Sequence, residues 1–180
     1  FTLLPAIYYF SEEFLFRGYL FQTFVEGTNK IIATVSLSLI FAIAHSKNPN
    51  VSLFGLINVG LAGIWLSVAY FKTQALWLPI GLHISWNFFQ GFVYSFPVSG
   101  TTSEREQIGK AIVNGPEWLT GGTFGPEGGA LATLMFVIGM LAIYYWKWVS
   151  PAEGLWSLEQ WRADRKQRLA PIAEPVPFQE

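Results

Sequence analysis

The chain has 180 residues, of which 52% are hydrophobic, 17% aromatic and only 13% charged, with a mean hydropathy of +0.36. Soluble domains carry about 25% charged residues, so half that figure with added aromatics predicts an all-α, polytopic transmembrane helix bundle. A net charge of −1 offers nothing to a nucleic acid or other polyanion. The absence of cysteine excludes disulfides, thiolate metal sites and a cysteine nucleophile.

The chain opens on Phe1 rather than Met, and no basic segment precedes its first apolar run. That run does not read as a signal peptide; the expectation is a fragment lacking N-terminal helices. Five apolar segments can be drawn, at about 1–25, 31–45, 51–71, 76–96 and 129–149. A span of the ~30 Å hydrocarbon core takes about 20 residues, so the second is short. The connectors 26–30, 46–50 and 72–75 are tight and predict antiparallel neighbours. Segment 97–128 is polar and Gly-rich, with Pro97, Pro116 and Pro126. It reads as a loop outside the bilayer, either a plain connector or a lid that meets substrate. Residues 1–149 would thus form the bundle and 150–180 a tail. The tail carries Arg162, Arg165, Lys166 and Arg168 beside Trp156 and Trp161. That suits an interfacial helix on the cytoplasmic side, followed by a disordered end at Pro171, Pro175 and Pro177.

Charges inside an apolar run are costly and mark function by default. The first run contains Ser11-Glu12-Glu13-Phe14-Leu15-Phe16-Arg17. Glu13 and Arg17 are four residues apart, with the acid first, the favourable order for a pair on one helical face. Glu12 lies about 100° round the helix. It is expected to be the free, reactive carboxylate, with Glu13 and Arg17 as its structural support. All three could instead form one stabilising network without chemistry, although a buried ion pair is a poor source of stability.

The chain's two histidines, His45 and His83, also interrupt apolar segments. His45 closes Phe41-Ala42-Ile43-Ala44-His45 before a Ser46-Lys47-Asn48-Pro49 stop. His83 and Asn87 are four apart and face one way from one helix, with Pro79 upstream as a start or a kink. Each taken alone could be an interfacial group or an interhelical hydrogen bond. Together, an acid, two imidazoles and a carboxamide have the parts for water-mediated hydrolysis of an amide. Glu12 could take a proton from water, a histidine could orient that water, and His83 with Asn87 could donate to the oxyanion. A zinc ion could be held by Glu12, His45 and His83, but HExxH is absent and the scheme requires no metal. Straight spans would place these groups at different depths; tilted or broken helices lining a cavity would bring them together.

The ordered trio Glu12-Glu13-x-x-x-Arg17, Phe41-x-x-x-His45 and His83-x-x-x-Asn87 resembles the CAAX-protease and bacteriocin-processing (CPBP) intramembrane protease family, which includes the eukaryotic CAAX prenyl endopeptidase. The resemblance spans 12–87. It implies an all-helical membrane bundle with its site in a cavity reached from one side. It further implies that Glu12 and His45 activate water, that His83 and Asn87 hold the oxyanion, and that Glu13 and Arg17 support the site. The family is often described as metalloproteases, while the glutamate scheme works without metal. The expected partners are a peptide or membrane-protein substrate and the lipid bilayer, in the plasma membrane if the protein is bacterial. Competing readings are a bis-histidine haem protein, a proton-coupled transporter fragment and a membrane scaffold; the first leaves Glu12 and Asn87 without a role.

Overall fold

A computed structural model describes residues 3–102, 108–151, 160, 163, 164, 166 and 167. Arg162, Arg165, Arg168, Trp156, Trp161, Pro171, Pro175 and Pro177 lie outside them. Among the described residues every regular element is helical, and extended backbone pairs only at an isolated bridge between Val98 and Thr101.

The first apolar run is one rod in three parts. Helix α1 (Leu3–Glu13) passes into a π-helical stretch, Phe14–Leu20, and continues as α2 (Phe21–Gly27). The widened turn begins immediately after the two glutamates and buries Arg17 and Gly18. π-Helical turns inside α-helices are uncommon and gather at functional sites. Asn29 then caps α3 (Lys30–Ala44), its side-chain oxygen accepting from the backbone N–H groups of Ile31 and Ile32, each at 2.9 Å. Such a cap satisfies donors that the first turn would leave orphaned. Ser52 does the same for α4 (Leu53–Thr73), which ends on Gln74 in a left-handed conformation. Pro79 lies in the first turn of α5 (Trp77–Asn87), so it starts this helix rather than kinking it. A second π-helical stretch, Phe88–Val93, extends α5.

Segment 97–128 is more structured than a connector. It holds the short helix α6 (Glu117–Thr120) and two 3-10 turns, Gly122–Phe124 and Pro126–Gly128, before α7 (Ala130–Tyr145). Phe124 is almost completely buried and packs with Phe41 and Val59, so this segment contributes to the core of the bundle.

Helix α4 is the central post, in contact with α3, α5 and α7. Phe21, Val25, Ala33, Leu37 and Tyr70 bury one end of the bundle. Trp65, Leu66, Ala69, Ala132, Phe136 and Ile143 join α4 to α7. Among the described residues α4 alone is long and apolar enough to cross a membrane; α3 and α7 are shorter apolar helices. Much of the outer surface of the bundle is apolar, including Ile31, Leu39, Ile43, Leu53, Ile57, Leu134 and Leu141.

Candidate active site

Between these clusters lies a cavity of about 460 Å³. Its wall includes Tyr8, Tyr9 and Glu12 from α1, Phe41 and His45 from α3 and its cap, and Asn58 and Trp65 from α4. It is completed by His83, Trp86 and Asn87 from α5, Ser99, Thr101 and Glu127 from segment 97–128, and Phe136 from α7. Glu12, His45, His83 and Asn87, from three different helical elements, therefore face one hollow. Helix α1 packs directly on α5, and His45 projects from the end of α3.

Under the cavity floor lies the Glu13–Arg17 pair. Arg17 Nη1 donates to Glu13 Oε1 at 2.9 Å, and neither side chain is more than 2% exposed. Arg17 Nη2 donates to the Gly63 carbonyl at 3.1 Å, which ties α4 to the rod. The guanidinium also lies 4.8 Å from the centre of the Phe41 ring, a favourable position for a cation over an aromatic face.

Glu13 does more than neutralise Arg17. The same Oε1 accepts from His83 Nδ1 at 2.8 Å. An imidazole whose Nδ1–H is held by a carboxylate keeps one orientation and presents its other nitrogen. His83 Nε2 accordingly faces Glu12, 3.7 Å from its Oε2. The two glutamates thus engage the two nitrogens of one ring, a relation that helical-face geometry did not anticipate. Glu12 is 13% exposed, where Glu13 is fully buried. Tyr8, one turn earlier on α1, lines the same hollow as Glu12. The Tyr9 ring lies against His83 with ring centres 5.2 Å apart.

His45 is fixed in a similar way. Its Nδ1 is 2.8 Å from the Phe41 carbonyl, to which it donates, and its ring lies on the Phe41 ring at 4.5 Å. Nε2 is then the ring nitrogen left for a ligand. The spacing Phe41-x-x-x-His45 is what lets one residue supply both contacts. Among the described residues no three acidic or histidine side chains converge so as to hold a metal ion. Glu12, His45 and His83 share the cavity without forming such a group.

Asn58, Glu127 and Ser99 are among the polar residues of the cavity that were not singled out from the sequence. Asn58, fully buried, donates to the carbonyls of Glu127 (2.8 Å) and Gly129 (2.9 Å) and accepts from Thr133 Oγ1 (2.7 Å). It binds α4 to the turn before α7. Its signal was available, because a carboxamide inside the apolar run 51–71 is the same kind of intrusion as Glu12. Glu127 and Ser99 had no such signal, since they lie in a Gly-rich stretch whose path is set only by tertiary contacts.

Among the described residues the bundle is thus all-helical, and an acid, two imidazoles and a carboxamide line one hollow. Residues 1–89 match the family model described as Type II CAAX prenyl endopeptidase Rce1-like, and this part of the chain is an Rce1-like domain. The match contains every predicted site residue from Glu12 to Asn87. Among curated proteins, the chain is similar to "Putative membrane peptidase YdiL" of Bacillus subtilis (strain 168), at 27% identity over 104 residues. That match covers 58% of this chain and 41% of the relative. No solved structure matches. Both descriptions name a peptidase, and that of the relative names the membrane.

Proposed function

We propose that the cavity is the active site of an intramembrane endopeptidase in which Glu12 and His45 activate water and His83 and Asn87 hold the oxyanion. The single observation behind this reading is that these four side chains, from three separate helical elements, line one hollow of about 460 Å³. Their surroundings suit the roles. His45 spends Nδ1 on the Phe41 carbonyl, which leaves Nε2 to accept a hydrogen bond from water. His83 spends Nδ1 on Glu13, which turns Nε2 toward the cavity and the substrate. Glu13 and Arg17 are then positioning residues.

The chemistry balances as follows. Glu12 takes a proton from water while the water oxygen bonds to the scissile carbonyl carbon. The carbonyl π pair moves onto oxygen, and Asn87 and His83 donate to the resulting anion. Collapse breaks the C–N bond, and the proton on Glu12 passes to the leaving amine. The substrate is a peptide bond in a peptide or membrane protein that reaches the cavity from the lipid phase. In a bacterial cell the enzyme would reside in the plasma membrane with its basic tail in the cytoplasm.

The test is a purified, detergent-solubilised protein and an inventory by mass spectrometry of the peptides cleaved in cells. Wild type should generate products that Glu12→Ala, His45→Ala and His83→Ala do not, although each variant remains folded. A fully active Glu12→Ala protein would overturn the scheme.

A further inference from the structure

We infer that Glu127 is a positioning residue of the cavity, clamping Ser99 in a left-handed backbone conformation and so fixing the turn 98–101 that walls it. The inference rests on the cavity being the site of hydrolysis, and it concerns residues beyond the stretch that matches the family. Val98, Ser99 and Thr101 all line the hollow. The turn closes on itself through Val98 N–H to the Thr101 carbonyl (2.8 Å) and Thr101 N–H to the Val98 carbonyl (2.9 Å).

Ser99 has φ +45°, a region that residues with a Cβ seldom occupy. Strained positions of this kind persist only where the surroundings over-determine them, and they gather at functional sites. Here the surroundings do so. Glu127 Oε2 accepts from both the Ser99 backbone N–H (2.7 Å) and its hydroxyl (2.8 Å). Asn48 Nδ2 donates to the Ser99 carbonyl at 3.0 Å. Gly100 follows at φ +82°, where any Cβ would meet the Pro49 carbonyl oxygen. The strained residue is therefore held on both its backbone groups and its side chain.

The clamp is itself held. Asn58 fixes the backbone of Glu127 to α4, and Glu127 Oε1 accepts from Trp86 Nε1 at 3.1 Å. Trp86 immediately precedes Asn87. One buried carboxylate thus joins the cavity wall to the helix that carries the oxyanion residue. Three donors converge on its two oxygens, a demand that only a carboxylate meets. Glutamine would turn an NH₂ group toward Ser99 or toward Trp86, setting donor against donor.

The experiment compares the full chain with Glu127→Gln, Glu127→Gln/Ser99→Gly and Glu12→Ala, using a peptide identified by the inventory above. Glu127→Gln should raise KM about tenfold while kcat falls less than about threefold, as expected when substrate fit rather than chemistry is lost. Adding Ser99→Gly should return KM to within about threefold of wild type, because glycine adopts φ +45° without a clamp. An unchanged KM in Glu127→Gln, or no recovery in the double variant, would overturn the proposal. If Glu127→Gln fails to fold, Ser99→Ala takes its place; it should raise KM, and a wild-type KM would refute the clamp. Cleavage that survives in Glu12→Ala sinks the hydrolytic reading instead. Limited trypsin digestion at exposed Lys110 then decides the clamp by itself. Digestion should be faster in Glu127→Gln and slowed again in the double variant, and equal rates would refute it.

Discussion

Removing the Glu13 carboxylate should be far more damaging than any surface ion pair would suggest. In Glu13→Ala, Arg17 keeps the Gly63 carbonyl and the rings of Phe41 and Phe16, at 2% exposure, with no carboxylate bonded to it. Breaking a buried pair by deleting one partner costs about 3–5 kcal/mol, because the remaining charge is uncompensated. For a chain of this size each kcal/mol shifts Tm by roughly 2–4 °C. The expected loss is therefore roughly 6–20 °C, measured by tryptophan fluorescence during heating in detergent. Arg17→Ala should also destabilise, since it leaves Glu13 fully buried with His83 as its remaining partner. The two changes should couple: the double variant should fall short of their sum by about 0.5–3 kcal/mol. Glu13→Ala also releases His83 Nδ1, so activity should vanish at temperatures where the variant is still folded. A Tm within about 2 °C of wild type, or full additivity with Arg17→Ala, would refute the assignment of Glu13 as the shared partner.

Asn87→Ala should slow cleavage by about 10²–10³-fold without loss of the fold, as removal of one oxyanion donor does; steady-state kinetics at saturating substrate would check this. Gly63→Ala would place a methyl 2.9 Å from Ser38 Oγ and 3.1 Å from its Cα. Overpacking at that crossing of α3 and α4 should cost about 1–3 kcal/mol in denaturant titration. Asn58→Ala removes the side-chain donor to the Glu127 carbonyl and the acceptor of the Thr133 hydroxyl, while the Gly129 carbonyl keeps the backbone N–H of Ala132 at 3.2 Å. It should cost about 1–3 kcal/mol for each group left buried and unpaired, and it should expose the start of α7 to amide hydrogen exchange.

The helices could be read from the sequence because their limits are written locally. The run 31–45 became Lys30–Ala44, with Asn29 in place to cap it. The polar intrusions were legible for a related reason: an acid or imidazole in an apolar run has few explanations. Spacing alone gave the Glu13–Arg17 pair. It could not give the bond from His83 to Glu13, which joins residues 70 apart and depends on how α1 lies against α5. Nor could it separate the two glutamates fully, because both meet the same ring. Segment 97–128 was the least legible. Glycines at positive φ and 3-10 turns carry no hydrophobic period, so nothing local announced that Phe124 and Glu127 would turn inward.

The π-helical stretch at Phe14–Leu20 makes the rod sensitive to length. Each residue of an α-helix advances its neighbours by about 100°, so deleting one residue within this stretch would re-phase everything before it against everything after. Phe21 and Val25 are fully buried downstream, whereas Glu12 looks into the hollow upstream. A shortened rod could satisfy one group or the other, never both. Such a deletion would leave helix content intact and every motif residue in place, yet would rotate the acids out of register with their histidine. The motif residues and their alignment are thus separate inheritances, the second carried by one π-helical stretch.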